Sequence, residues 1–150
     1  MPKFDQFYMN VAAGAAELSY AKRAQVGAVA VRDRNILAFG YNGTLPGTSN
    51  VCEDEDGNTK AEVIHAEENL LMKIARSSVS VEGAVVYVTM APCINCSRLM
   101  ANAGIKKVIY RDTYRDLSGV DLLTKYGVDV KQFQAILDPK DKKTTWSIFD

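Results

Sequence analysis

The chain has 150 residues, 47% of them hydrophobic and 24% charged, enough to close one core and ordinary for a soluble globular domain. No apolar run approaches the ~18–20 residues of a membrane span. Val11–Ala16 lacks a basic leader and runs into Glu17, so no secretory signal is expected and an intracellular protein is the default. The 18 basic and 18 acidic residues cancel, which argues against a polynucleotide partner, since phosphate backbones favour a basic excess. A small phosphorylated ligand, needing only one or two local cations, is not excluded.

Phe4, Tyr8, Val11, Ala15 and Leu18 recur at helical spacing and predict an opening amphipathic helix. Val26–Val31 and Asn35–Gly40 read as strands, joined by a hairpin turn at Arg32-Asp33-Arg34-Asn35. Tyr41–Gly57 collects Asn, Gly, Pro, Ser and acids and reads as a long functional loop. From Thr59 a helix is expected, with Ile64, Leu70, Leu71, Ile74 and Ala75 on one face and Ser77-Ser78 at its end. Ala84–Thr89 is a buried strand. Pro92 opens a helix where its missing N–H costs nothing, and Gly104 stops it. Lys107–Tyr110 is a strand, Ser118–Lys125 a helix ending before Gly127, and Val128–Val130 a short strand. With no repeats or linkers, residues 1–150 read as one domain. The alternation of strands and helices predicts an α/β sandwich, one sheet covered by helices on both faces.

Three cysteines and one histidine carry the chemical information. An odd cysteine count without a secretory signal argues against a disulfide framework. Cys93 and Cys96 lie three apart on one helical face, and His65 stands upstream. One imidazole and two thiolates make three protein ligands and leave a fourth tetrahedral position for water, the arrangement of catalytic rather than structural zinc. A helix N-terminus also favours the ligating thiolate. Glu67, two residues beyond His65, is placed to handle the water's proton without ligating the ion. Cys93–Cys96 alone would also suit a redox pair. Cys52 reads as a buried loop packer, the alternative being a fourth ligand of a structural site that would leave Glu67 without purpose.

His65-Ala66-Glu67 followed by Pro92-Cys93-Ile94-Asn95-Cys96 matches the H-x-E…P-C-x-x-C pattern of zinc-dependent base deaminases. Gln25-Val26-Gly27-Ala28-Val29, Gly40-Tyr41-Asn42-Gly43-Thr44, Asn50-Val51-Cys52-Glu53, Ala103-Gly104-Ile105-Lys106-Lys107 and Thr113-Tyr114 accompany it. Across Ser19 to Val130 the chain resembles deoxycytidylate (dCMP) deaminases of the cytidine deaminase superfamily. The Gly-Tyr-Asn-Gly loop and the following Cys-Glu narrow the match to that branch.

The resemblance implies a cytidine deaminase-like fold, a three-layer α/β/α sandwich around one mixed five-stranded sheet. It also implies hydrolysis of dCMP to dUMP and ammonia for thymidylate synthesis. Glu67 would protonate N3 and help expel the amine, which the Ala91 carbonyl or the backbone near Cys93 would orient. Ala66 would lie beside the substrate. Asn42 is the candidate for the deoxyribose, because an amide both donates and accepts. It also reads as a turn residue before Gly43. Lys22 and Arg23 lead the candidates for the phosphate, with Arg76 and Arg115 behind them, and Tyr114 would close over the nucleotide. Many relatives are hexamers, activated by dCTP and inhibited by dTTP. On that pattern Tyr41 and Gly43 approach the effector, and Mg²⁺ accompanies its triphosphate. The single histidine and the short Asp54–Lys60 connection rule out the second, structural zinc of some relatives. In Gly43-Thr44-Leu45-Pro46-Gly47 the proline stands one place later than the family pattern. Trp146-Ser147-Ile148-Phe149 is too apolar for a free end and is expected to dock on the core or a neighbouring subunit. The expected compartment is the cytoplasm, or the host cytoplasm for a phage-encoded chain. A free nucleoside, a riboflavin precursor or a tRNA adenosine would be the rival substrates. A non-catalytic zinc module would be the rival class.

Overall fold

A computed structural model describes residues 2–135, in the order α1 (Pro2–Ala16), β1 (Gly27–Arg32), β2 (Asn35–Tyr41), α2 (Ala66–Ala75), β3 (Val85–Met90), α3 (Ile94–Asn102), β4 (Lys107–Asp112), α4 (Ser118–Lys125) and β5 (Asp129–Gln132). The apolar tail Trp146–Phe149 lies outside the described residues. Among those described, no helix is long and apolar enough to cross a membrane.

The strands form one sheet in the order β2-β1-β3-β4-β5. β1 runs antiparallel to both neighbours, whereas β3, β4 and β5 are mutually parallel, so the sheet is mixed. Successive side chains of a strand point to opposite faces. Ala28 and Ala30 of β1 accordingly join a core with Leu70 and Ile74 of α2, Met100 of α3 and Leu123 of α4. Val29 and Val31 join a second core with Tyr8, Met9 and Ala12 of α1. One helix therefore covers one face and three cover the other, which is the expected three-layer sandwich. The β1–β2 hairpin turns on Asp33 and Arg34, whose φ of 51° and 65° match the positive values that a two-residue turn of the type I′ class needs at both centres.

Two features fix α2, the helix that carries His65 and Glu67 at its start. Gly40 of β2 lets the helix approach closely, since a Cβ there would lie 2.5 Å from the Ala66 carbonyl oxygen and 2.7 Å from the Leu70 nitrogen. Asn69 Nδ2 donates to the Tyr41 carbonyl at 2.7 Å, and Lys73 Nζ donates to the Phe39 carbonyl at 2.7 Å. The second helix begins later than its periodicity predicts. Residues 59–64 are not helical, because Ile64 pairs with Gly43 in an antiparallel bridge, N to O at 2.8 and 3.0 Å. A turn at Ala61-Glu62, closed by Val63 N–H to the Lys60 carbonyl at 3.1 Å, precedes this pairing, and His65 then caps the helix with φ −72° and ψ 159°. Pro92 likewise does not open its helix but lies two places before it, ahead of the N-cap Cys93.

Candidate active site

The site forms where three loops meet beyond the carboxyl end of β3. In α/β sheets with parallel strands, the crevice at such ends is the usual ligand site. The turn after β3 delivers Ala91, Pro92 and Cys93, and α3 starts immediately, placing Cys96 one turn on. The loop after β2 returns along the Gly43–Ile64 bridge and delivers His65. Gly119, at the start of α4, makes room for this arrangement: a Cβ there would lie 2.3 Å from the Pro92 carbonyl oxygen and 2.7 Å from the Cys93 carbonyl carbon.

His65, Cys93 and Cys96 bring their donor atoms within 4.8 Å of one another, the metal-competent trio found among the described residues. His65 Nδ1 stands 3.5 Å from Cys93 Sγ and 3.3 Å from Cys96 Sγ. The Cys96 backbone N–H donates to Cys93 Sγ at 3.4 Å. Exposure falls from His65, open to the cleft, through Cys93 to the buried Cys96. Glu68 Oε1 accepts from the His65 backbone N–H at 3.1 Å and steadies the histidine at its cap.

The electrostatics suit a cation. The Cys93 thiol is lowered to about 4, chiefly by the hydrogen bond from Cys96 and then by His65 and the Cys96 N–H, against the opposing effect of burial. His65 is raised to about 9 by its hydrogen bond to Cys93. Cys96 is pushed far up by its bond to Cys93 and by burial. Two sulfurs and one nitrogen, one sulfur already ionised at a helix N-terminus, make a donor set that fits zinc. Glu67 is 4% exposed, and burial raises its carboxyl to about 7.

A cleft of about 350 Å³ opens on this group. His65, Ala66, Glu67, Ala91 and Cys93 line its floor, and Asn42, Arg23, Tyr114 and Arg115 line its walls. Lys22 and Arg76 are not among the lining residues: Lys22 turns its backbone to Glu53, and Arg76 is the C-cap of α2, at the far end from the site. Tyr41 and Gly43 flank Asn42 without lining the cleft. The Asn42 amide is structurally engaged, accepting from the Val26 N–H at 2.9 Å and donating to the Ala24 carbonyl at 2.8 Å. Cys52 is buried in a small cluster with Ala21 and Val63, as a packing residue would be, and is not part of the donor trio.

Residues 2–112 match the family model for the cytidine and deoxycytidylate deaminase zinc-binding region. The chain belongs to that family. A deoxycytidylate deaminase of Mycobacterium phage D29 is 35% identical over 123 residues, covering 73% of this chain and 94% of its own. That of Saccharomyces cerevisiae is 33% identical over 149 residues, covering 93% of this chain, but the match spans only 47% of the yeast protein. Among solved structures, the dCMP deaminase of cyanophage S-TIM5 in complex with dCMP and dUMP superposes with a TM-score of 0.86 at 44% identity, covering 88% of this chain and 98% of that one.

This deaminase-family cleft also uses residues that sequence reasoning left out: Ala24, Val26, Thr59, Val63 and Met90. Val63 carried a readable signal, because in an extended segment it shares a side with His65, two residues on. Thr59 carried none, since only the pairing of Glu53 with Thr59 turns it inward.

Proposed function

We propose that this chain hydrolyses dCMP to dUMP and ammonia, with zinc held by His65, Cys93 and Cys96 and Glu67 as proton carrier. The observation that carries the reading is the buried Glu67 sharing a cleft with His65 and Cys93 of the donor trio, with Cys96 buried behind them. It gains weight from 44% identity to a protein crystallised with dCMP and dUMP. Zinc, when bound, supplies Lewis acidity that lowers the pKa of a coordinated water from about 15.7 to about 7. The reaction forms a C4–O bond to the cytosine and breaks the C4–N4 bond. Glu67 takes one proton from the water and delivers it to N3, then takes the second from the hydroxyl added at C4 and passes it to the departing amine as the C4 carbonyl forms. A carboxyl raised to about 7 suits both directions, being neither strong acid nor strong base at neutral pH. The backbone of Ala66 and the Ala91 carbonyl flank the base. The remaining N–H of the Asn42 amide serves the deoxyribose, Arg23 and Arg115 face the phosphate, and Tyr114 closes over the nucleotide.

The same reading extends to regulation. dCTP would activate and dTTP inhibit, with Mg²⁺ on the triphosphate near Tyr41 and Gly43, in a hexamer of single-domain chains in the cytoplasm or a phage host's cytoplasm. The Gly43–Ile64 bridge supports it, because a contact at Gly43 is one residue of chain away from His65.

Glu67→Gln tests the core of the reading. Zinc content should stay at the wild-type level while turnover falls ~10²–10⁴-fold, the usual contribution of a general acid–base. Retained turnover in that variant would falsify the mechanism. Offered dCMP, deoxycytidine, CMP and dCTP, the enzyme should process dCMP fastest, and a preference for deoxycytidine would remove the phosphate from the reading.

A further inference from the structure

We propose that Glu53 is a positioning residue for the substrate phosphate, gripping the Lys22–Arg23 corner so that Arg23 meets the cleft at a fixed place. The inference rests on the reading above, in which Arg23 faces that phosphate.

The chain between α1 and β1 is irregular and is held at three points. Near its start, Ser19 Oγ donates to the Asn42 carbonyl at 2.8 Å and accepts from the Ala21 N–H at 3.1 Å. At its end, the Asn42 amide holds Ala24 and Val26. Between them, the backbone N–H groups of Lys22 and Arg23 both donate to one oxygen, Glu53 Oε2, at 2.9 and 3.2 Å. Successive N–H groups converging on one anion make a concave, charge-assisted contact that fixes the backbone.

Three observations give this contact a role beyond holding a loop. An acid beside Lys and Arg ordinarily pairs with their side chains. Among the described residues the ion pairs are instead Lys107–Asp129 and Arg111–Asp112. Glu53 thus holds the backbone of Arg23, a residue that lines the cleft, without taking up its side-chain charge. Glu53 is itself bridged through its main chain to Thr59, which lines the same cleft, so one residue links two walls, its carboxylate holding the Lys22–Arg23 turn and its backbone pairing with Thr59. Finally, Cys52 packs on Ala21, which sets Glu53 beside residue 22. The Cys52-Glu53 pair therefore reads as an apolar anchor followed by an anionic clamp.

The test uses the full zinc-loaded chain. Glu53→Ala should raise the KM for dCMP about tenfold or more, with kcat within about threefold of wild type. Calorimetric affinity for dUMP should fall by a similar factor while that for deoxyuridine holds. Glu53→Gln, which keeps an acceptor of the same shape, should recover most of the loss. Glu53→Ala added to Arg23→Ala should cost little more than Arg23→Ala alone, since residues acting through one another are not additive. A dCMP KM within twofold of wild type overturns the proposal, as does a loss shared equally by deoxyuridine. If Arg23→Ala weakens dUMP against deoxyuridine and Glu53→Ala does not, only the clamp fails. If Arg23→Ala changes neither, the phosphate reading falls and the clamp with it. Should Glu53→Ala not fold, Glu53→Asp must show about a threefold rise in the dCMP KM, and no rise there also overturns the proposal.

Discussion

A carboxylate taken out of water resists ionisation, and Glu67 stands in that position within the metal-free chain. Its pKa is raised from 4.5 to about 7 by burial. The folded state therefore holds the proton more tightly than the unfolded one, and stability present below pH ~4.5 is lost as pH rises through ~7. Glu67→Gln removes that dependence. Relative to wild type, the metal-free variant should gain about 2–3 kcal/mol between pH 4 and pH 8, measured by urea unfolding at both. A stability difference that is flat with pH would contradict the buried charge. The trio makes a separate commitment. In the neutral range the Cys93 sulfur is ionised, whereas His65 and Cys96 hold protons. Ligation needs a neutral imidazole and two thiolates, so zinc uptake at pH 7.5 should release about two protons and strengthen as pH rises. Calorimetry in buffers of different ionisation enthalpy counts them, and a release near zero would mean that the trio is already in its ligating form.

The elements that carry these residues were legible where periodicity speaks and illegible where pairing across the chain decides. β1 and its hairpin follow from a β-branched run and a charged turn. α3 follows from Pro92 and Gly104, with its start displaced by two residues, from Pro92 to Ile94, because Cys93 takes the cap. The start of α2 was not legible from Thr59, since a turn at Ala61-Glu62 and the Gly43–Ile64 bridge occupy that stretch and no local pattern announces a bridge to a residue 21 positions earlier. The same bridge lies between Asn42 and Val63, which do line the cleft. Helix placement also depends on Gly40, whose missing Cβ sets how close α2 comes to β2. Gly40→Ala would force backbone against backbone. It should destabilise the fold by about 1–3 kcal/mol, the usual range for overpacking, and lower zinc affinity because His65 and Glu67 move with the helix. A variant as stable as wild type and equally avid for zinc would show that α2 can slide without moving the site.

At the scale of the molecule, the trio and Glu67 were visible before any coordinates, because chemistry-bearing residue types are few and their spacing is strict. The cations of the cleft were only half visible. Arg23 and Arg115 reach the cleft and Lys22 and Arg76 do not, a difference set by which way each loop turns rather than by charge. The boundary of the sheet holds one more consequence. β2 is an outermost strand, and its Phe39 and Tyr41 carbonyls, two residues apart and so on the same side, are both occupied by α2 side chains. An outer strand with open carbonyls is a template on which other chains can add. Lys73 and Asn69 occupy that template at two carbonyls, one of them with a charge, so the helix that carries His65 and Glu67 should also restrain strand-by-strand association. Asn69→Ala with Lys73→Ala should open both carbonyls and loosen α2, so that the variant forms thioflavin-positive fibrils on prolonged incubation while the parent stays clear; a variant that stays equally clear would overturn this role.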